Sequence, residues 1–94
     1  MREARVEAHL RARIEAAGGI CIKLSPAGLV GIPDRLVVLP SGWICFAEVK
    51  KPKGGRVGRL QHWWRARLIG LGVRHRFVLT REDVDEMMEG WKNG

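Results

Sequence analysis

The chain has 94 residues, enough for one small domain over residues 1–94 and too few for a second, and 46% of them are hydrophobic, enough to bury a core and too many for disorder. Seventeen Lys and Arg against ten acids give a net charge of +7, and twelve of those cations are Arg, which points to a polyanionic partner. No apolar run reaches the ~18 residues of a membrane span and no signal peptide opens the chain, so the expected setting is cytoplasmic and reducing, neither membrane-bound nor secreted. The charge is uneven. Residues 1–81 hold sixteen cations against five acids, a balance of +11, and residues 82–94 hold Lys92 against five acids, a balance of −4.

In chain order, residues 3 to about 17 read as a helix, with Val6, Leu10, Ile14 and Ala17 as its apolar stripe and Gly18-Gly19 as its stop. Glu7 lies beside that stripe, an unusual place for a carboxylate, and Glu3 lies one turn earlier. Ile20 to Leu24 reads as a short apolar strand carrying Lys23, and Ser25 to Ile32, with Pro26, Gly28 and Gly31, reads as a loop. Cys21 and Cys45 both fall in apolar strand-like runs and read as reduced core residues.

From Gly31 to Lys51 the pattern sharpens. Asp34 heads one apolar run, Pro40-Ser41-Gly42 turns the chain, and Trp43 to Val49 runs into Glu48-Val49-Lys50, which predicts a hairpin. Alternation puts Glu48 and Lys50 on one face with Ile44 and Phe46, and Asp34 in line with Leu36 and Val38. If both sites fall at one end of the hairpin, two carboxylates and an ammonium converge. Paired carboxylates at an apolar sheet edge repel one another, and a hard divalent cation with oxygen ligands relieves this.

The basic, glycine-rich stretch Lys51 to Arg56 reads as a loop able to touch phosphate without reading sequence. Val57 to about Leu71 reads as a helix with Leu60, Trp64, Leu68 and Leu71 inward, Trp63 flanking and Gln61 at the border of the stripe. Arg59, Arg65 and Arg67 take its other faces. Trp63 and Trp64 suit a core or subunit interface better than base stacking. Val73 to Leu79 reads as a closing strand, and Thr80 caps a third helix with Val84, Met87, Met88 and Trp91 inward. His9, His62 and His75 have no metal-ligand spacing.

Pro33-Asp34, a hairpin, then Glu48-Val49-Lys50 resembles the PD-(D/E)xK nuclease signature. The longer string from Gly31-Ile32-Pro33-Asp34-Arg35 through Glu48-Val49-Lys50-Lys51 to Leu60-Gln61 resembles the VRR-NUC branch, in its small stand-alone members from phages and bacteria. The resemblance implies an α/β fold with a restriction-endonuclease-like core: a central mixed sheet of about four strands flanked by helices, in the order α-β-β-β-α-β-α. It also implies a DNA endonuclease using Mg²⁺ or Mn²⁺, with no organic cofactor, acting in a bacterial cell or phage-infected host. Asp34, Glu48, the Val49 carbonyl and a helix glutamate, Glu7 or its competitor Glu3, would be the metal ligands. Lys50 and Gln61 would complete the catalytic set, and Lys23, Lys51, Lys53, Arg56 and Arg59 would grip DNA. Four-way junctions cut by a homodimer are the substrate and assembly implied. The rivals are a nicking or restriction-type nuclease of the same superfamily and a basic DNA-binding module that does not cut.

Overall fold

Alternation in two neighbouring strands sets the architecture. In β2 (Arg35–Leu39) residues 35, 37 and 39 are buried and 36 and 38 are half-covered; in β3 (Trp43–Val49) Cys45, Ala47 and Val49 continue the buried row. The two strands pair antiparallel, joined by one 3₁₀ turn, Pro40–Gly42, in which Ser41 takes a φ of 72°. This is a computed structural model, and it describes residues 3–25, 28–50 and 57–94. Lys51, Lys53, Arg56 and most of the basic loop that contains them lie outside the described residues.

β1 (Ile20–Lys23) adds antiparallel to β2, and β4 (Arg74–Val78) adds parallel to β3, giving a mixed sheet in the order β1-β2-β3-β4. A parallel neighbour needs a crossover. Here the crossover carries α2 (Arg59–Gly70). With α1 (Glu3–Ala16) and α3 (Arg81–Asn93), the element order is the α-β-β-β-α-β-α expected from the sequence.

One face of the sheet is the core. Val37, Leu39, Cys45, Ala47, Val49 and Val78 meet Val6, Leu10 and Ile14 of α1 and Val84, Met87 and Met88 of α3. α1 ends where the chain needs a left-handed residue, met by Gly18 at φ 87°. α3 begins at Thr80, whose hydroxyl accepts from the Asp83 N–H at 3.1 Å while the Asp83 carboxylate accepts from the Thr80 N–H. Across the core top, Asp85 of α3 lies 2.8 Å from His9 Nε2 and accepts from Arg13 of α1. Both cysteines are free thiols, Cys45 buried and Cys21 half-buried.

The other face is open over much of its area. Ile20, Ile22 and Ile44 stand on it and are 59%, 40% and 41% exposed. The inward stripe expected for α2 does not hold in full: of its members Leu68 is buried and Trp64 half-buried, while Leu60 and Leu71, with the flanking Trp63, are exposed. The reason is geometric. α2 meets the sheet mainly along the edge strand β4, with Leu60 and Trp64 against the loop that leads into β2. It docks through polar and aromatic contacts instead. Arg65 donates to the His75 carbonyl at 3.0 Å, and His62 packs edge-on against Phe77, which His75 flanks on the same strand.

Candidate active site

The β2–β3 register pairs Arg35 with Ala47, and one step further along it sets Asp34 opposite Glu48. Directly opposed residues share a face, with Cβ atoms about 4.5–5.5 Å apart. The two acids therefore lie opposite one another at the end of the hairpin, near enough for the charge of Asp34 to act on Glu48, while the Asp34 carboxylate also lies 3.3 Å from the Arg35 guanidinium. Asp34 is tied on both sides. Its carbonyl accepts from the Leu24 N–H at 2.8 Å, and its Oδ1 accepts from the Val49 N–H at 3.3 Å. Lys50 follows on Glu48's face, its own N–H donating to the Val78 carbonyl at 2.9 Å, so the parallel pairing with β4 holds the stretch from Glu48 to Lys50 straight.

The loop before Asp34 is wedged against α2. Gly31 has φ 84°, and a Cβ there would come within 2.5 Å of Leu60 Cβ, so glycine alone allows the approach. Trp64 Nε1 donates to the Val30 carbonyl at 3.1 Å. Gln61 turns its Oε1 back to accept from the Gly58 N–H at 2.9 Å, capping its own helix. Gln61 is half-buried beside Gly31, three residues before Asp34.

Electrostatics mark the pair. Glu48 is 6% exposed, and burial followed by the charge of Asp34 pushes its carboxyl up to about 7, against the pull of Lys50. Asp34 is also raised, by burial first and with a small push from Glu3, while Arg35 and the Val49 N–H hold it back. Among the described residues Lys50 makes no ion pair; its charge reaches Glu48 without contact. Two carboxyls raised by burial, Glu48 further by the charge of Asp34, suit a hard cation. Among the described residues no three His, Cys, Asp or Glu side chains form a cage. An ion at Asp34 and Glu48 would therefore need oxygens from backbone or water, and the Val49 carbonyl adjoins them in sequence.

The remaining sequence candidates are placed less centrally. Glu7 lies 3.0 Å from Arg35 and 3.5 Å from Arg11, on the core side of the sheet. Lys23 pairs with Arg35, so the ladder sends its side chain to the face opposite Asp34. Arg59 is exposed on the first turn of α2. Two groups of this region were not anticipated as functional from the sequence. Arg35 is buried between Glu7 and Asp34. His75, pushed down to about 4 by burial and by Arg65, stays neutral and accepts from Arg65 at 3.3 Å behind Glu48's neighbour Phe77.

A mixed four-stranded sheet flanked by helices, with facing carboxylates at one ladder end and a lysine two residues on, defines a restriction-endonuclease-like α/β protein. No family model matches the chain. A phage protein described as "Putative nuclease p44", from Acyrthosiphon pisum secondary endosymbiont phage 1, is 39% identical over 88 residues, 94% of this chain and 92% of that protein. A solved "VRR_NUC domain" superposes with a TM-score of 0.85 at 38% identity, over 93% of this chain and 94% of the other. The chain belongs to the VRR-NUC family.

Proposed function

We propose that this protein is a metal-dependent deoxyribonuclease that hydrolyses phosphodiester bonds in branched DNA, four-way junctions foremost, as a homodimer. The observation that carries the reading is the hairpin register that sets Asp34 opposite Glu48, with both carboxyls raised and Lys50 two residues after Glu48. Asp34, Glu48 and the Val49 carbonyl would hold Mg²⁺ or Mn²⁺. Such an ion neutralises charge on the scissile phosphate and lowers the pKa of bound water.

The chain's own groups do the rest. The Lys50 ammonium orients the attacking water and balances negative charge on the phosphoryl oxygens. Glu48 and Asp34 lie on the side of the hairpin end that the ammonium faces, so the amine and the two acids address one phosphate together. Gln61 and Gly31 hold the loop that presents Asp34, and Glu7 acts on the site through Arg35. Arg59 and the cations outside the described residues, Lys51, Lys53 and Arg56, supply phosphate contacts that set affinity without sequence. Cutting two strands symmetrically takes two sites. The open sheet face bearing Ile20, Ile22 and Ile44 is apolar surface that a second copy would cover.

A panel of linear duplex, flap and four-way junction in Mg²⁺, run with wild type and Asp34→Ala, tests this. The expected result is fastest cutting of the junction, 5′-phosphate ends, and binding without cutting in the variant. Equal cutting of linear duplex would favour a nicking or restriction-type enzyme. No cutting of any substrate by wild type would leave a DNA-binding module.

A further inference from the structure

Arg35 occupies the core row of β2, between the positions of a lysine on β1 and an alanine on β3, and is 5% exposed. Its Nη2 lies 3.0 Å from Glu7 Oε1, its Nη1 lies 3.3 Å from Asp34 Oδ2, and the same Nη1 donates to the Asp34 carbonyl at 3.0 Å. Its Nε is buried and meets no acceptor among the described residues. The guanidinium is thus held entirely from its outer end, by two acids that come from different elements. A buried charge in this position is favourable only while both partners stay on it. Arginine cannot lose its proton to escape the cost.

We infer that Arg35 is a positioning residue that acts as a built-in counterion: it holds Asp34 and Glu7 in place without metal, keeps Glu7 out of the ligand set, and competes with a divalent cation for Asp34. Without the guanidinium, Glu7 and Asp34 would face one buried volume with no positive charge between them, while Asp34 already acts on Glu48. Sharing Asp34 with a fixed guanidinium lowers the charge left for an incoming ion. The free protein is therefore stable without metal and binds it weakly. Glu7, on the core side with Arg35 against it, supports the site through the guanidinium and does not reach the ion.

The inference rests on the metal-dependent reading above, and calorimetric titration of Mn²⁺ into the DNA-free protein separates the two. Wild type that takes up no Mn²⁺ removes that reading and this one with it. If wild type binds, Arg35→Gln is expected to bind at least tenfold more tightly while melting at lower temperature without metal. Arg35→Lys keeps a charge for the fold but cannot span both acids, and is expected to bind about threefold more tightly. In the double variant Glu7→Gln with Arg35→Gln, charge balance returns and the affinity is expected within threefold of wild type. Unchanged or weaker Mn²⁺ binding in Arg35→Gln or Arg35→Lys overturns the counterion role. A double variant that binds more than tenfold more weakly than wild type makes Glu7 a ligand and overturns it equally.

Discussion

Replacing Glu48 by glutamine is expected to make the metal-free protein more stable, and only above mildly acidic pH. The carboxyl moves from an ordinary 4.5 to about 7 on folding, with burial as the main cause and Asp34 next. Between those values the folded state keeps a proton that the unfolded chain has released. Wild-type stability therefore falls as pH rises through that window and levels off above it. The full shift corresponds to about 3 kcal/mol, which water at the rim of the site reduces to roughly 2. For a chain of 94 residues, this is a gain of roughly 8–16 °C in the melting temperature of Glu48→Gln at pH 8. At pH 4 both proteins are neutral at this position and should melt together. His75, depressed on folding, destabilises the fold as pH falls below about 6.5, but it does so equally in both proteins. Thermal melts in chelator at pH 4 and pH 8 read the difference directly. A variant no more stable than wild type at pH 8, or equally stabilised at both pH values, would refute the claim that Glu48 is held under strain. Adding Mn²⁺ at pH 8 should then raise the melting temperature of wild type well above any effect on Glu48→Gln.

Lys50→Ala should reduce junction cleavage by at least about 100-fold, as expected for a lost transition-state contact, with DNA affinity little changed in a gel-shift titration. Gly31→Ala should lower stability by about 2–3 kcal/mol in urea unfolding, because a left-handed backbone and the Leu60 contact both resist a Cβ. The same variant should lose cleavage more than it loses DNA binding, since the displaced loop carries Asp34. Thr80→Ala should cost about 1 kcal/mol through its lost cap and leave cleavage rate unchanged at permissive temperature.

The hairpin was legible because two signals agree over it. Period-two burial marks both strands, and Pro40-Ser41-Gly42 supplies a connection short enough to fix the register that opposes Asp34 and Glu48. α1 and α3 were legible for similar reasons, each having an apolar stripe and a chemical stop or cap. α2 was misread because Leu60, Trp64, Leu68 and Leu71 keep helical spacing, yet spacing gives no measure of how much surface the sheet offers. A helix lying along an edge strand buries one or two of such positions. The place of β4 beside β3 had no signal either, since strand order depends on how the crossover packs. Arg35 did leave a trace. An arginine in register with Val37 and Leu39 on the buried row demands acids inside, and Glu7, lying beside its own helix's stripe, is one of them. Gln61 was placed near the site by the resemblance, but its cap to Gly58 follows from spacing that any helix start could use.

α3 carries all five acids of residues 82–94 and packs on the core side, whereas Glu48 and Lys50 look out from the opposite side of the sheet. Asp85 is matched by Arg13 and Glu86 by Arg76, and the remaining acids still leave α3 the most acidic element of a chain that carries +7 overall. Approaching a duplex, the molecule feels a torque as well as an attraction, and a collision begun with α3 foremost tends to turn round before it ends. Such self-orienting encounters waste fewer approaches than blind ones. The advantage should fade as added salt shortens the field to less than the protein's own width.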